Sequence, residues 1–281
     1  MTHISHISQT LCALLLLLVT ACGPDIATSR TCPLEEGDVL LTVPDQNAVV
    51  SLTIDGEIVS EAVLDDPFLN RPQHVMRVDG CDIVVSDRDD RTLFSLDGEG
   101  ILTSRDQDFS LQEPVDLVSY KGLPTMVWGT SPAITVFADS PMDRTLPDSG
   151  ALVAASEGMN GSLWVASDVE GGTLLVEYED DTLQTALRST VVESEYPIPS
   201  IQSMRYDAET DTLVLGGVNE VLILDADTFE EVRSVEANGF VYQVAIDEEG
   251  TLWRLDFDGL WRGDEIVTSV EDPARARFYV E

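Results

Sequence analysis

The stretch "DIVVSDRDDRTLFSLD", residues 82–97, decides the fold. An apolar run, Ile83 to Val85, breaks at a charged turn and resumes as Leu93, Phe94 and Leu96 among polar residues. Two short apolar runs split by Asp and Arg read as antiparallel strands joined by a hairpin. The same unit recurs along the chain. Its cores are "DVLLTV" from Asp38, "DIVVSD" from Asp82, "TMVWGT" from Thr125, "SLWVAS" from Ser162, "TLVLGG" from Thr212 and "TLWRLD" from Thr251. Each is followed by a polar turn and another strand, such as "NAVVSLTID" (47–55), "PAITVFAD" (132–139) or "NEVLILDAD" (219–227). Further strands lie before the cores, as in "HVMRVD" (74–79) and "QSMRYD" (202–207), and after the units, as in "EEVRSVEA" (230–237).

The cores start 37 to 50 residues apart, a mean of about 43, which is the length of a four-stranded propeller blade. The pattern predicts an all-β chain: a six-bladed β-propeller of four-stranded antiparallel blades. The first unit lacks a preceding strand, because "TCPLEEG" (31–37) is short and polar. The chain ends instead in a spare strand, "ARARFYVE" (274–281). A C-terminal strand that completes the first blade would close the ring and remove an exposed edge. Residues 83–100 resemble an NHL repeat and residues 213–232 a YVTN-type repeat. Residues 250–263 are similar to the propeller repeats of bacterial sensor proteins. These resemblances imply the fold and no particular activity.

Residues 1–21 carry no Asp, Glu, Lys or Arg, and their apolar core, residues 11–19, is too short to span a bilayer. It reads as a secretory signal. Val19-Thr20-Ala21-Cys22 resembles the lipobox of bacterial lipoproteins. That resemblance implies cleavage before Cys22 and acylation of its sulfur and amine, hence stable anchoring through several acyl chains such as palmitate. Three segments follow: a signal peptide over 1–21, an anchor and short linker over 22–36, and the propeller over 37–281. Gly23 is not the Asp that retains lipoproteins at the enterobacterial inner membrane, so the expected address is the cell envelope at the outer membrane.

Two cysteines remain, Cys32 and Cys81. In an oxidising compartment they read as a disulfide, with two buried free thiols as the alternative. The 52 acidic and 15 basic residues leave a net charge of −37, which excludes nucleic acid and anionic headgroups as partners. The acidity reads as a solubilising surface or as a face for a basic protein segment or cations. Its candidate members are Asp87, Asp89, Asp90, Asp168 and Asp258, which lie in the turns after the six cores.

Catalytic chemistry is sparse. After residue 21 the chain has one histidine, His74, read as a hydrogen-bonded structural residue in preference to a base. "DRDD" (87–90) lacks the Gly and distal Glu of a calcium loop. No zinc set, P-loop or nucleophile elbow is present. Trp164 and Trp253 share a register and read as packing between blades. No catalytic residue, metal or cofactor is expected. The expected function is a lipid-anchored, non-catalytic binding or scaffold module with a protein partner in the envelope or a small ligand. The alternative is a calcium-dependent hydrolase similar to the gluconolactonase propellers, whose metal is held by Glu, Asn and Asp. Against it, Asn47, Asn70, Asn160, Asn219 and Asn238 all fall in apparent turns.

Overall fold

A computed structural model describes residues 39–60, 71–78, 82–87, 92–96, 102–107, 114–138, 141–147, 149–179, 182–193 and 201–280. Among these, the strands form six four-stranded antiparallel sheets, each meandering from an inner to an outer strand. The inner strands of blades 2 to 6 are Pro72–Arg77, Pro114–Tyr120, Ala151–Glu157, Ser203–Asp207 and Gln243–Ile246. Blade 1 takes its inner strand, Phe278–Val280, from the end of the chain. There Phe278, Tyr279 and Val280 pair with Leu41, Leu40 and Val39. The ring is thus closed by the C-terminal strand, as the unmatched strands at the two ends of the sequence predict.

The predicted cores are the second strands of their blades: Val39–Val43, Ile83–Asp87, Leu123–Trp128, Leu163–Val169, Thr212–Gly216 and Leu252–Asp256. They are apolar at successive positions because both faces of a blade are covered. Side chains alternate across a strand, and alternate residues enter different hydrophobic clusters. Val39 and Leu41 pack toward blade 6, with Trp253 and Leu260, whereas Leu40 packs toward blade 2, with Val75 and Ile83. Trp164 and Ala166 join Met204 and Leu213 of blade 5, while Leu163 and Val165 turn back to Val127 and Ile134 of blade 3. Each of the six hydrophobic clusters fills one blade-to-blade interface. The core is six slabs around an axis.

This arrangement sorts the tryptophans. Trp164 and Trp253, fully buried, face the next blade, at Ile201 and Phe278 respectively. Trp128 sits one residue out of that register and so faces the preceding blade, against Met76 and Leu93. Trp261 lies on a third strand, half-buried under the Arg254 guanidinium, 4.4 Å from its ring centre. Of the asparagines in apparent turns, Asn47, Asn160 and Asn219 adopt left-handed backbone conformations with φ of 53°, 58° and 66°.

The signal segment, the 22–36 linker, Cys22, Cys32 and Cys81 lie outside the described residues, as do Asn70, Asp89 and Asp90. No helix among the described residues is long and apolar enough to cross a membrane.

Candidate functional site

The inner strands converge on a central channel, and their backbones meet the next blade without a continuous hydrogen-bonded ladder. Unpaired backbone groups in such a place need other partners. Side chains supply them at every interface. Thr42 Oγ1 shares its one proton between Arg277 O at 3.1 Å and Gln73 O of blade 2 at 3.4 Å. His74 Nε2 meets Val115 O of blade 3 at 3.0 Å. Asp116 Oδ2 accepts Ala155 N–H of blade 4 at 3.3 Å, and Ser156 Oγ accepts Tyr206 N–H of blade 5 at 2.9 Å. Ser203 Oγ accepts Val244 N–H of blade 6 at 3.1 Å. Gln243 closes the circle, accepting Phe278 N–H and donating to Phe278 O, both at 2.7 Å.

This ring assigns His74 its role. A carbonyl oxygen only accepts, so the proton sits on Nε2, and Nδ1 accepts from Ser86 Oγ at 3.0 Å. Burial, reinforced by the Arg277 charge, lowers its pKa to about 3, so the imidazole is neutral. A base held at both nitrogens inside the wall is a structural group.

Charge is also concentrated at the axis. Asp116 pairs with Arg205, Oδ2 to Nη1 at 3.1 Å, and the same Nη1 donates to Met204 O at 2.8 Å and Ala155 O at 3.2 Å. Arg277 stands close by. Burial depresses its pKa, Asp116 opposes that effect, and Arg205 adds to it.

Beyond this ring the channel widens into a cavity of about 500 Å³, within the range of small-molecule sites. Its floor includes Gln243 and Phe278, and its walls come mostly from the C-terminal halves of the inner strands. It therefore opens on the face of the turns that join inner to second strands. The described hairpins after the cores, with Asp168 and Asp258, lie at the opposite face.

At that opposite face Asp168 and Asp258 are exposed, and Asp258 accepts the Asn238 amide at 3.1 Å. Asp87 departs from the expected exposed acidic face: it is 1% exposed. It closes its core at the register where Asp256 closes the sixth. Asp256, also 1% exposed, turns inward to Arg254 at 3.2 Å and Trp261 Nε1 at 2.9 Å and accepts Asp258 N–H at 3.0 Å. The aligned Asp in "DIVVSD" and "TLWRLD" was the available sign that this position faces inward. The channel residues Arg77, Asp116 and Arg205 were not singled out from the sequence. The signal for the arginines was the shared "MR" at 76–77 and 204–205 in two inner strands.

Among the described residues, no group of three or more His, Cys, Asp or Glu side chains converges to hold a metal. No family model and no curated protein matches the chain. Solved structures match its fold. A gluconolactonase from Xanthomonas campestris superposes with a TM-score of 0.62 at 12% identity, over 82% of this chain and 87% of that one. Virginiamycin B lyase from Staphylococcus aureus gives 0.56 at 13%, over 86% and 83%. The extracellular domain of a putative one-component system from B. thetaiotaomicron gives 0.57 at 11%, over 83% of this chain but only 32% of that protein. At these identities the likeness is one of fold.

Proposed function

We propose that the protein is a non-catalytic binding or scaffold module of the cell envelope, anchored by acyl chains on Cys22. The observation that carries the non-catalytic half is the engagement of the channel's polar groups. His74, Asp116, Ser156, Ser203 and Gln243 each bridge one blade to the next. Groups engaged in that way hold the ring together, which favours a structural over a catalytic role for them. The lipobox-like "VTAC" supports the anchor. A propeller forming the extracellular domain of a one-component system supports a location outside the cytoplasm. The likeness to the gluconolactonase is one of fold at 12% identity, so by itself it does not favour the calcium hydrolase reading.

Two measurements test the proposal. Metabolic palmitate labelling should mark the wild-type chain and fail on Cys22→Ser; a labelled variant would refute the anchor. Purified protein should hydrolyse aldonolactones no faster than buffer, with or without calcium. A calcium-dependent rate abolished by Asp116→Asn would overturn the non-catalytic reading.

A further inference from the structure

We infer that the protein forms a weak dimer in which the outer strand of blade 4, Ala186–Glu193, pairs antiparallel with the same strand of a second copy. The inference goes beyond the binding-module reading and does not rest on it. An unguarded backbone edge, exposed apolar side chains and a self-matching register carry it.

The outer strand of a blade has a neighbour on one side only, and its free row of N–H and C=O groups pairs with other chains unless something prevents it. In five blades something does. The outer strands of blades 1 and 6, Ile58–Ser60 and Glu265–Thr268, are three and four residues long. That of blade 2 reads "LTSRDQ" (102–107), with two adjacent charges. That of blade 3, Pro141–Thr145, opens on proline and carries Asp143 and Arg144. Blade 5 has the longest, Glu231–Phe240, but it bears Glu231, Arg233 and Glu236, and its ladder shifts register twice. The eight residues of blade 4 are different, because none from Ser189 to Val192 is charged or proline. Arg188 turns back over the blade to Glu177 and Asp227, with its guanidinium 5.0 Å from the ring centre of Trp164. Among the described residues, this strand pairs only with Gly172–Tyr178.

The same strand exposes large apolar side chains, Leu187 at 54% and Val191 at 47%. Val191 stands opposite Leu174, on the side of blade 3, whose own outer strand is too short to cover it. What fits there is the strand itself. With a two-fold axis at Thr190, Ser189 faces the partner subunit's Val191, and Arg188 faces the partner subunit's Val192. Glu193 then faces the partner subunit's Leu187, so no like charges meet. Leu187 comes diagonally against the partner subunit's Val191, and diagonal pairs lie within reach of large side chains. Each copy thus covers the apolar pair that the other exposes, and the two-fold closes the assembly. A basic segment finds little to attract it, because Glu193 is the only acid in the strand. The contact is small. Eight residues span about 27 Å, short of the area of a permanent interface, and a net charge of −37 sets the copies against each other. A dissociation constant of about 10–100 μM is expected at 0.15 M salt.

Sedimentation equilibrium on the Cys22→Ser chain, which keeps acyl chains out of the measurement, reads the association directly. A monomer–dimer equilibrium is expected, tightening about tenfold between roughly 0.15 M and 1 M sodium chloride as screening removes the repulsion. Val191→Lys places a charge on the edge and should weaken the dimer about tenfold or more. Val232→Lys, on the outer strand of blade 5 at a site 59% exposed, should change it by less than about twofold. Hydrogen exchange should show the amides of residues 186–193 gaining protection as protein concentration rises. A monomer at every concentration up to about 1 mM overturns the inference. So does equal weakening by the two variants, or association without added protection at 186–193, since either puts the contact elsewhere. The exchange measurement needs no edge variant and stands even if Val191→Lys does not fold. Lipid attachment and turnover enter neither readout, so failure here leaves the proposed function untouched.

Discussion

A single histidine gives the protein a pH dependence that can be assigned. Among the described residues His74 is the one histidine, and its titration bears on stability between pH 7 and 5. Folded, it takes a proton only near pH 3; an unfolded chain takes it near 6.5. The stability it contributes is therefore full above about 6.5 and is lost as pH falls, by about 1.4 kcal/mol per unit. The urea midpoint should drop from pH 7 to pH 5. In His74→Gln the midpoint should start lower and fall less steeply, and equal slopes would refute the assignment. Asp247 loses its share only at more acid pH. Burial would raise its pKa, but hydrogen bonds from Trp253 and from the backbone of Thr251 and Glu249 hold it below the usual value. Gly259 shows a different constraint at this scale. It opens a third strand with φ of 140°, and a Cβ there would lie 2.3 Å from Thr268 O. Gly259→Ala should cost on the order of 2–4 kcal/mol, measured by chemical denaturation. A loss below about 1 kcal/mol would mean that the outer strand yields easily.

Among the elements, the short inner strand Phe278–Val280 carries more than its length suggests. It pairs with Val39–Val43, buries Phe278 against Trp253, and receives both hydrogen bonds of the Gln243 amide. Deleting residues 275–281 should lower the unfolding temperature of the whole ring in one cooperative step. An unchanged midpoint would refute closure by this strand. Phe278→Ala tests the packing share alone and should cost about 3–5 kcal/mol. The strands were legible in the sequence because a blade buried on both faces writes its second strand as an unbroken apolar run. "VLLTV" and "TLVLG" are of that kind. Trp164 and Trp253 even revealed their interface through a shared register. The inner strands were less informative. Their hydrogen bonds to the next blade use His, Asp, Ser and Gln interchangeably, and in blade 1 Thr42 of the second strand takes the place, so no repeating letter marks the ring.

Over the whole molecule, charge and shape were legible to different depths. The net charge is a property of composition, but its distribution is set by the fold. Asp87 opens the charged run "DRDD" (87–90), yet it is buried. The arginines of the axis are scattered through "HVMRVD", "QSMRYD" and "ARARFYVE" and meet only when the ring closes. A cavity built from six strands has no local signature. The exterior, by contrast, should behave as the composition dictates. With a net charge of −37, the compact state bears self-repulsion that the expanded chain relieves. At about 10 mM salt charges interact over roughly 30 Å, and at 0.15 M over roughly 8 Å. The urea midpoint should therefore rise with sodium chloride across that interval. Choline chloride should act equally at equal ionic strength, because screening depends on ionic strength and not on the identity of the cation. A larger rise with calcium chloride at matched ionic strength would instead mean that the acidic exterior binds the ion specifically. A flat response to every salt would mean that the pairs around Arg188, Arg254 and Arg262 already balance the repulsion locally.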